Sequence, residues 1–297
     1  MKKLFTLILL TFVAAFIFTG CEKDGNTGTL HLSITDAPVD NFDVVGVWLT
    51  ISEIQYHMND NEWMTFEEFE GPQEFNILEL TNGESELLGS FEMEAGTYTQ
   101  LRFILEAPDF GGPNPTNPGC YIEFTDESTE PLFVPSGHQS GWKAVGQFKV
   151  PSNGDVSVTA DFDARKSVLH MTGAGRYILK PTIRLIVDNQ SGQIAGGVSN
   201  IPEGKDIVIY AYEDGTYTES EADEPADEET PRFPNAITSS MVCDSDSYHL
   251  SYLAPGTYDL VVTSSVDGEF EEVLGIVEDV VVESRKTTNM PIDISAL

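Results

Sequence analysis

Basic residues are scarce in this 297-residue chain: 15 Lys and Arg stand against 49 Asp and Glu, a formal charge of -34. Phosphate backbones are held by clustered cations, so a nucleic-acid partner is excluded. Helical periodicity is scarce too. Few apolar residues recur at three- and four-residue spacing, which excludes a helical bundle. Cysteine is limited to Cys21, Cys120 and Cys243, with no CxxC pair and no neighbouring histidine cluster. Zinc and thiol chemistry therefore have no support. The spacing leaves open whether Cys120 and Cys243 form a disulfide.

What is present begins with Lys2 and Lys3, followed by an apolar stretch from Leu4 to Phe18 that is too short for a comfortable membrane span. This is the pattern of an export signal. Its end, Phe18-Thr19-Gly20-Cys21, resembles the lipobox of bacterial lipoproteins. The resemblance implies cleavage after residue 20 and lipidation of Cys21, with residues 21–27 as a tether. Several acyl chains, each CH₂ worth about 0.8 kcal/mol when buried, would hold the protein on a membrane without spanning it. Glu22-Lys23-Asp24 resembles the short lysine-and-acid signals that send lipoproteins of the Bacteroidetes to the outer face of the outer membrane. The periplasmic side is the alternative location. Removing residues 1–20 takes away two lysines and no acid, so the mature charge becomes -36. Such a field repels anionic surfaces and gathers cations, and it also serves solubility alone.

Apolar residues at every second position mark the rest as all-β, read as two β-sandwich domains at 28–187 and 190–297. Val45, Val47, Leu49 and Ile51 are expected to point inward, with Trp48, Thr50 and Ser52 outward. Leu101, Phe103 and Leu105 alternate in the same way. A short helix is expected within 75–88, and a hairpin turn at Glu213-Asp214-Gly215. Two segments echo each other: Glu94-Ala95-Gly96-Thr97-Tyr98 and Ala254-Pro255-Gly256-Thr257-Tyr258. In both, glycine supplies the turn and tyrosine the first inward anchor.

The second echo, with Leu260 and Val262 behind it, resembles the strand-joining corner of carboxypeptidase regulatory-like, transthyretin-type sandwiches, which are non-catalytic. The first domain resembles domain-of-unknown-function family 4382. The marks are Thr35-Asp36-Ala37-Pro38, Ala95 to Arg102, Pro135 to Lys143, Asp161-Phe162-Asp163 and Leu179-Lys180-Pro181 with Arg184. That family implies no established activity.

Asp161 and Asp163, two apart on a strand, project from one face at about 7 Å, a spacing that calcium could bridge with Asp36 as a third ligand. The competing reading pairs these carboxylates with Arg165, Lys166, Lys180 or Arg184. Residues 219–229, with seven carboxylates and no base, are expected to be a solvated loop. Ser136, His138 and Ser140 lack the order of a nucleophile elbow and suggest a structured turn that binds a partner. With Trp142 and Lys143 they form one expected binding patch for a glycan or protein ligand. Trp48, out of phase with the inward series, offers a second if its ring is set on the outer face; the alternative is a second layer packed over it by residues 70–90. Trp63 is expected to pack its own hairpin. The sequence thus favours a non-catalytic binding or scaffolding protein of the envelope. A calcium-stabilised adhesin and a hydrolase using Asp161, Asp163, His138 or Ser140 are the alternatives.

Overall fold

The computed structural model describes residues 26–37, 43–57, 62–107, 119–135, 141–180, 182–227, 230–242, 245–266 and 268–297. The fold is all-β. Thirteen strands come first: β1 (Thr27–Ala37), β2 (Val44–His57), β3 (Met64–Thr65), β4 (Gln73–Asn76), β5 (Glu86–Glu94), β6 (Gly96–Leu105), β7 (Tyr121–Phe124), β8 (Thr129–Phe133), β9 (Trp142–Val150), β10 (Asp155–Asp163), β11 (Val168–Met171), β12 (Arg176–Leu179) and β13 (Ile183–Val187). They form one hydrogen-bonded path in the order β11-β12-β8-β7-β2-β6-β9-β13-β10-β1-β5, with β3 and β4 also on β2. The core lies inside this curled sheet, where Leu32, Val47, Leu49, Ile51, Leu101 and Phe103 are fully buried.

From residue 192 the strands build two further sheets. They are β14 (Gly192–Ser199), β15 (Asp206–Glu213), β16 (Thr238–Met241), β17 (Ser247–Leu253), β18 (Gly256–Val266), β19 (Glu269–Val282), β20 (Thr287–Asn289) and β21 (Ile292–Asp293). One sheet runs β17-β14-β20 with β21, the other β16-β15-β18-β19. Ile207, Ile209 and Ala211 of β15 face the core between these sheets. Val208, Tyr210 and Tyr212 face the other way and are equally buried, under Phe233 and Ala236. A strand covered on both faces needs a second layer, and residues 214–237 supply it.

Of the described acidic residues in that arm, Glu219, Asp223, Glu224 and Asp227 are exposed as a solvated acidic loop requires, while Glu221 is buried. The arm's described part includes a 3-10 turn at Glu219–Ala222 closed by a capping box from Thr218 and Glu221. The expected hairpin at Glu213-Asp214-Gly215 is not formed, since the next strand, β16, begins only at Thr238. The helix expected within 75–88 is instead a single 3-10 turn, Ile77–Leu80, capped by Asn76 and followed by β5. Val45 is 47% exposed while Val44 is buried. A register shift between Val44 and Gly46 puts Val45 out of phase with the inward series.

The echoed segments form the same corner twice. The Tyr98 hydroxyl donates to the Glu94 carbonyl and the Tyr258 hydroxyl to the Ala254 carbonyl, each at 2.8 Å. Both rings are buried at the start of their strands, β6 and β18.

Candidate functional site

β10 ends in Asp163, whose carboxylate accepts from the Lys166 N–H at 3.1 Å and caps a one-turn helix, α1 (Ala164–Ser167). Asp161 and Asp163 do share a face of β10, but each meets cations of this chain. Asp161 pairs with Arg184, its antiparallel register partner on β13. Asp163 lies 3.6 Å from the Arg165 guanidinium and 3.4 Å from the Lys166 ammonium. Asp36 is level with Phe162 and accepts from the Ala164 N–H at 2.9 Å. The expected calcium trio is therefore corrected to an ion-pair cluster. Among the described residues no group of three or more His, Cys, Asp or Glu side chains could hold a metal ion.

This cluster joins the 13-stranded sheet to the covering arm. Arg165 donates to the carbonyls of Arg232 and Phe233 at 3.0 and 2.8 Å and lies 5.5 Å from the Tyr210 ring. Lys166 reaches the Ala236 carbonyl at 2.5 Å. Burial lowers the Lys166 ammonium pKa, and the Asp163 carboxylate opposes that shift. Nearby, Asn82 accepts through its side chain from Ser240 and through its carbonyl from His249 Nδ1. A Cβ on Gly83, at φ +89°, would sit 2.6 Å from the Ser251 hydroxyl, so glycine is needed at this close approach to β17.

The expected patch at the 135–143 loop is only partly visible, because Ser136, His138 and Ser140 lie outside the described residues. Trp142 is not at a surface. It is 1% exposed, packs 5.0 Å from Phe162, and its Nε1 has no hydrogen-bond partner among the described residues. The alternation of β9 explains this correction: Trp142 and Ala144 face inward, while Lys143 is exposed. Cys21 and Cys243 also lie outside the described residues. Cys120 is a buried thiol, its pKa pushed up to about 12 by burial. Among the described residues no helix is long and apolar enough to cross a membrane.

Trp48 lies on the outer face, as its phase predicts, between fully buried Val47 and Leu49. Antiparallel register sets Tyr121 of β7 directly beside it, and Pro131 of β8 beside Tyr121. The two rings lie 5.7 Å apart and within 10° of parallel. The indole Nε1 donates to Glu123 Oε2 at 2.9 Å, which fixes the ring's rotation. A Cβ at Gly46 would come within 2.6 Å of that Nε1, so glycine is what lets the indole lie against the strand. Beside this platform opens a cleft of about 710 Å³, lined by Thr50, Glu74, Glu106 and Tyr121 among others. Burial, then the charges of Glu74 and Glu123, raise the Tyr121 hydroxyl pKa, so it stays a neutral donor at physiological pH.

Further along β2 the same outer face carries a second indole that sequence reading left to its hairpin. The Arg102 guanidinium lies 4.4 Å and the Lys143 ammonium 6.0 Å from the Trp63 ring centre, and the His57 ring 5.3 Å away. Register explains the meeting: Gln55 pairs with Arg102, and Arg102 with Lys143.

No curated protein matches the chain. Among solved structures, the Bacillus anthracis TIE protein is 10% identical with a TM-score of 0.22, and 90% of this chain aligns to 34% of its length. A leucine-rich repeat protein from Bacteroides thetaiotaomicron is 12% identical, TM-score 0.21, with 91% of this chain aligned to 26% of it. This chain thus spans about a third and a quarter of those two proteins. A minor pilin of Streptococcus agalactiae is 14% identical, TM-score 0.22, with 89% and 94% covered. At these TM-scores the likenesses bear on neither fold nor function. The sequence family is a different matter: the model described as Domain of unknown function (DUF4382) matches residues 27–181, and the chain belongs to that family.

Proposed function

We propose that this protein is a non-catalytic, lipid-anchored glycan-binding protein of the cell envelope, facing outward from the outer membrane. The observation that carries this reading is the near-parallel Trp48–Tyr121 pair in one register row with Pro131. A flat apolar plate suits the C–H face of a sugar ring, while carboxylates at its border accept sugar hydroxyls. Glu123 orients the indole, and Glu74 and Glu106 line the adjoining cleft. Gly46 and Glu123 hold the plate ready without a ligand, which limits the ordering cost of binding. The carboxylates that a hydrolase would use, Asp161 and Asp163, are occupied by Arg184, Arg165 and Lys166 at a buried joint.

The anchor rests on the signal ending at Cys21, and the carboxypeptidase regulatory-like reading of residues 190–297 on the Tyr258 corner. Palmitate release from Cys21 by mass spectrometry tests the first. The binding reading is tested on an oligosaccharide array with the mature protein and its W48A and Y121A variants. Retained glycans that both variants lose by about tenfold or more support it, since a stacked aromatic is worth about 1–3 kcal/mol. Binding that ignores both substitutions sinks it.

A further inference from the structure

In a chain carrying 49 acidic residues and 15 basic ones, two cations and a histidine converge on a single indole. Trp63 is half-buried, and among the described residues neither Arg102 nor Lys143 forms an ion pair. Arg102 donates from Nε at 2.7 Å to the neutral Gln55 Oε1, which positions the guanidinium without neutralising it. Glu53 is the carboxylate whose charge bears on Arg102, and hydrogen bonds from Thr65 at 2.6 Å and from Gln55 hold its pKa below the ordinary value, so it stays charged and offsets part of the guanidinium's charge. The outer end of β2 thus gathers two cations on one indole, with Glu53 as the carboxylate bearing on Arg102, inside an anionic molecule.

Its position gives it a ligand. Trp48 and Gln55 lie on the same face of one strand, on either side of a register shift between Ile51 and Glu53. At about 3.3 Å per residue the two stations are roughly 20–25 Å apart. That is the reach of an extended oligosaccharide and exceeds a single sugar. We infer that the outer face of β2 binds an extended anionic glycan, neutral sugars on the Trp48–Tyr121 plate and an acidic sugar at Trp63, Arg102 and Lys143. The inference rests on the glycan-binding reading and adds a polarity to it. The carboxylate or sulfate would be held by Arg102 and Lys143, and its ring would lie beside Trp63. The Trp48 end, bordered by Glu123, Glu74 and Glu106, repels a second acidic group and so sets the direction of the chain.

The test uses the full mature protein and an array of paired oligosaccharides that differ only in bearing no acid, a uronate or a sulfate ester. Affinities are read at low and high salt for wild type, W48A and R102Q/K143Q, with thermal melting of each variant as a folding control. The expected result is about tenfold tighter binding of the acidic member of a pair at low salt. R102Q/K143Q removes that preference and leaves neutral binding intact, whereas W48A weakens both members. Whether uronate or sulfate gains more identifies the acid. Equal binding within pairs, or a preference that survives R102Q/K143Q, overturns the inference while leaving the Trp48 reading in place. Failure to bind any pair overturns both.

Discussion

Two carboxylate-rich stretches meet where the 13-stranded sheet joins the covering arm, and they solve burial differently. On β10, Asp161 and Asp163 are matched by Arg184, Arg165 and Lys166. On the covering arm, Glu221 is buried without a basic partner among the described residues. It accepts from the Tyr212 hydroxyl at 3.0 Å and from the backbone and side chain of Asn235, each at 3.1 Å. Burial alone would raise the Glu221 carboxyl, but these hydrogen bonds outweigh it and hold the pKa below the ordinary value of 4.5. The contrast teaches that acid count does not foretell solvation. A carboxylate can be folded in by charges or by neutral donors, and the two leave different marks on stability.

The largest break in this contrast is Arg165→Ala. Removing the buried guanidinium leaves the Asp163 charge to Lys166 alone and takes the donor from the Arg232 and Phe233 carbonyls, so urea unfolding should show a loss of about 3–5 kcal/mol. The triple exchange D163N/R165M/K166M leaves no lone charge in this cluster and should cost less than R165A alone. Glu221→Ala comes next, at about 1–3 kcal/mol for the severed donors. Its pH dependence sharpens the comparison. Because the folded pKa is depressed, the stabilisation from Glu221 is present above the unfolded value and is lost as pH falls through the folded one. The gap between wild type and E221A should therefore narrow on acidification in melts between pH 7 and pH 3. Tyr98→Phe and Tyr258→Phe should show the smallest effects, about 0.5–1.5 kcal/mol each, since each loses one hydroxyl bond to a backbone carbonyl. Unequal losses would mean that the two corners are alike in geometry alone.

Most of the sheet was legible because its period survives in the residues: Leu101, Phe103 and Leu105 face inward as their alternation requires. Both tyrosine corners were visible as local motifs, and so was the outward phase of Trp48. Four things were not. The shift at Val44 and Gly46 inverts one residue, and nothing local announces it. The burial of Glu221 within an otherwise exposed acidic run was hidden because its partners, Tyr212 and Asn235, lie outside that run. The Trp63 station depends on the register of β2, β6 and β9, which brings together residues far apart in the chain. Tyr121 was missed for the same reason, being placed beside Trp48 only by strand pairing.

The position of β1 has a mechanical consequence. It begins at Thr27, six residues beyond Cys21, and lies inside the sheet, paired in parallel with β10 from Thr29 to Ala37 and antiparallel with β5 from Thr27 to Ile34. Tension applied at the N-terminal end acts along the strand, so it loads these hydrogen bonds together in shear and does not peel them one at a time. Were the proposed anchor at Cys21 and the proposed ligand on the outer face of β2 both in place, a pull between them would load β1 in this direction.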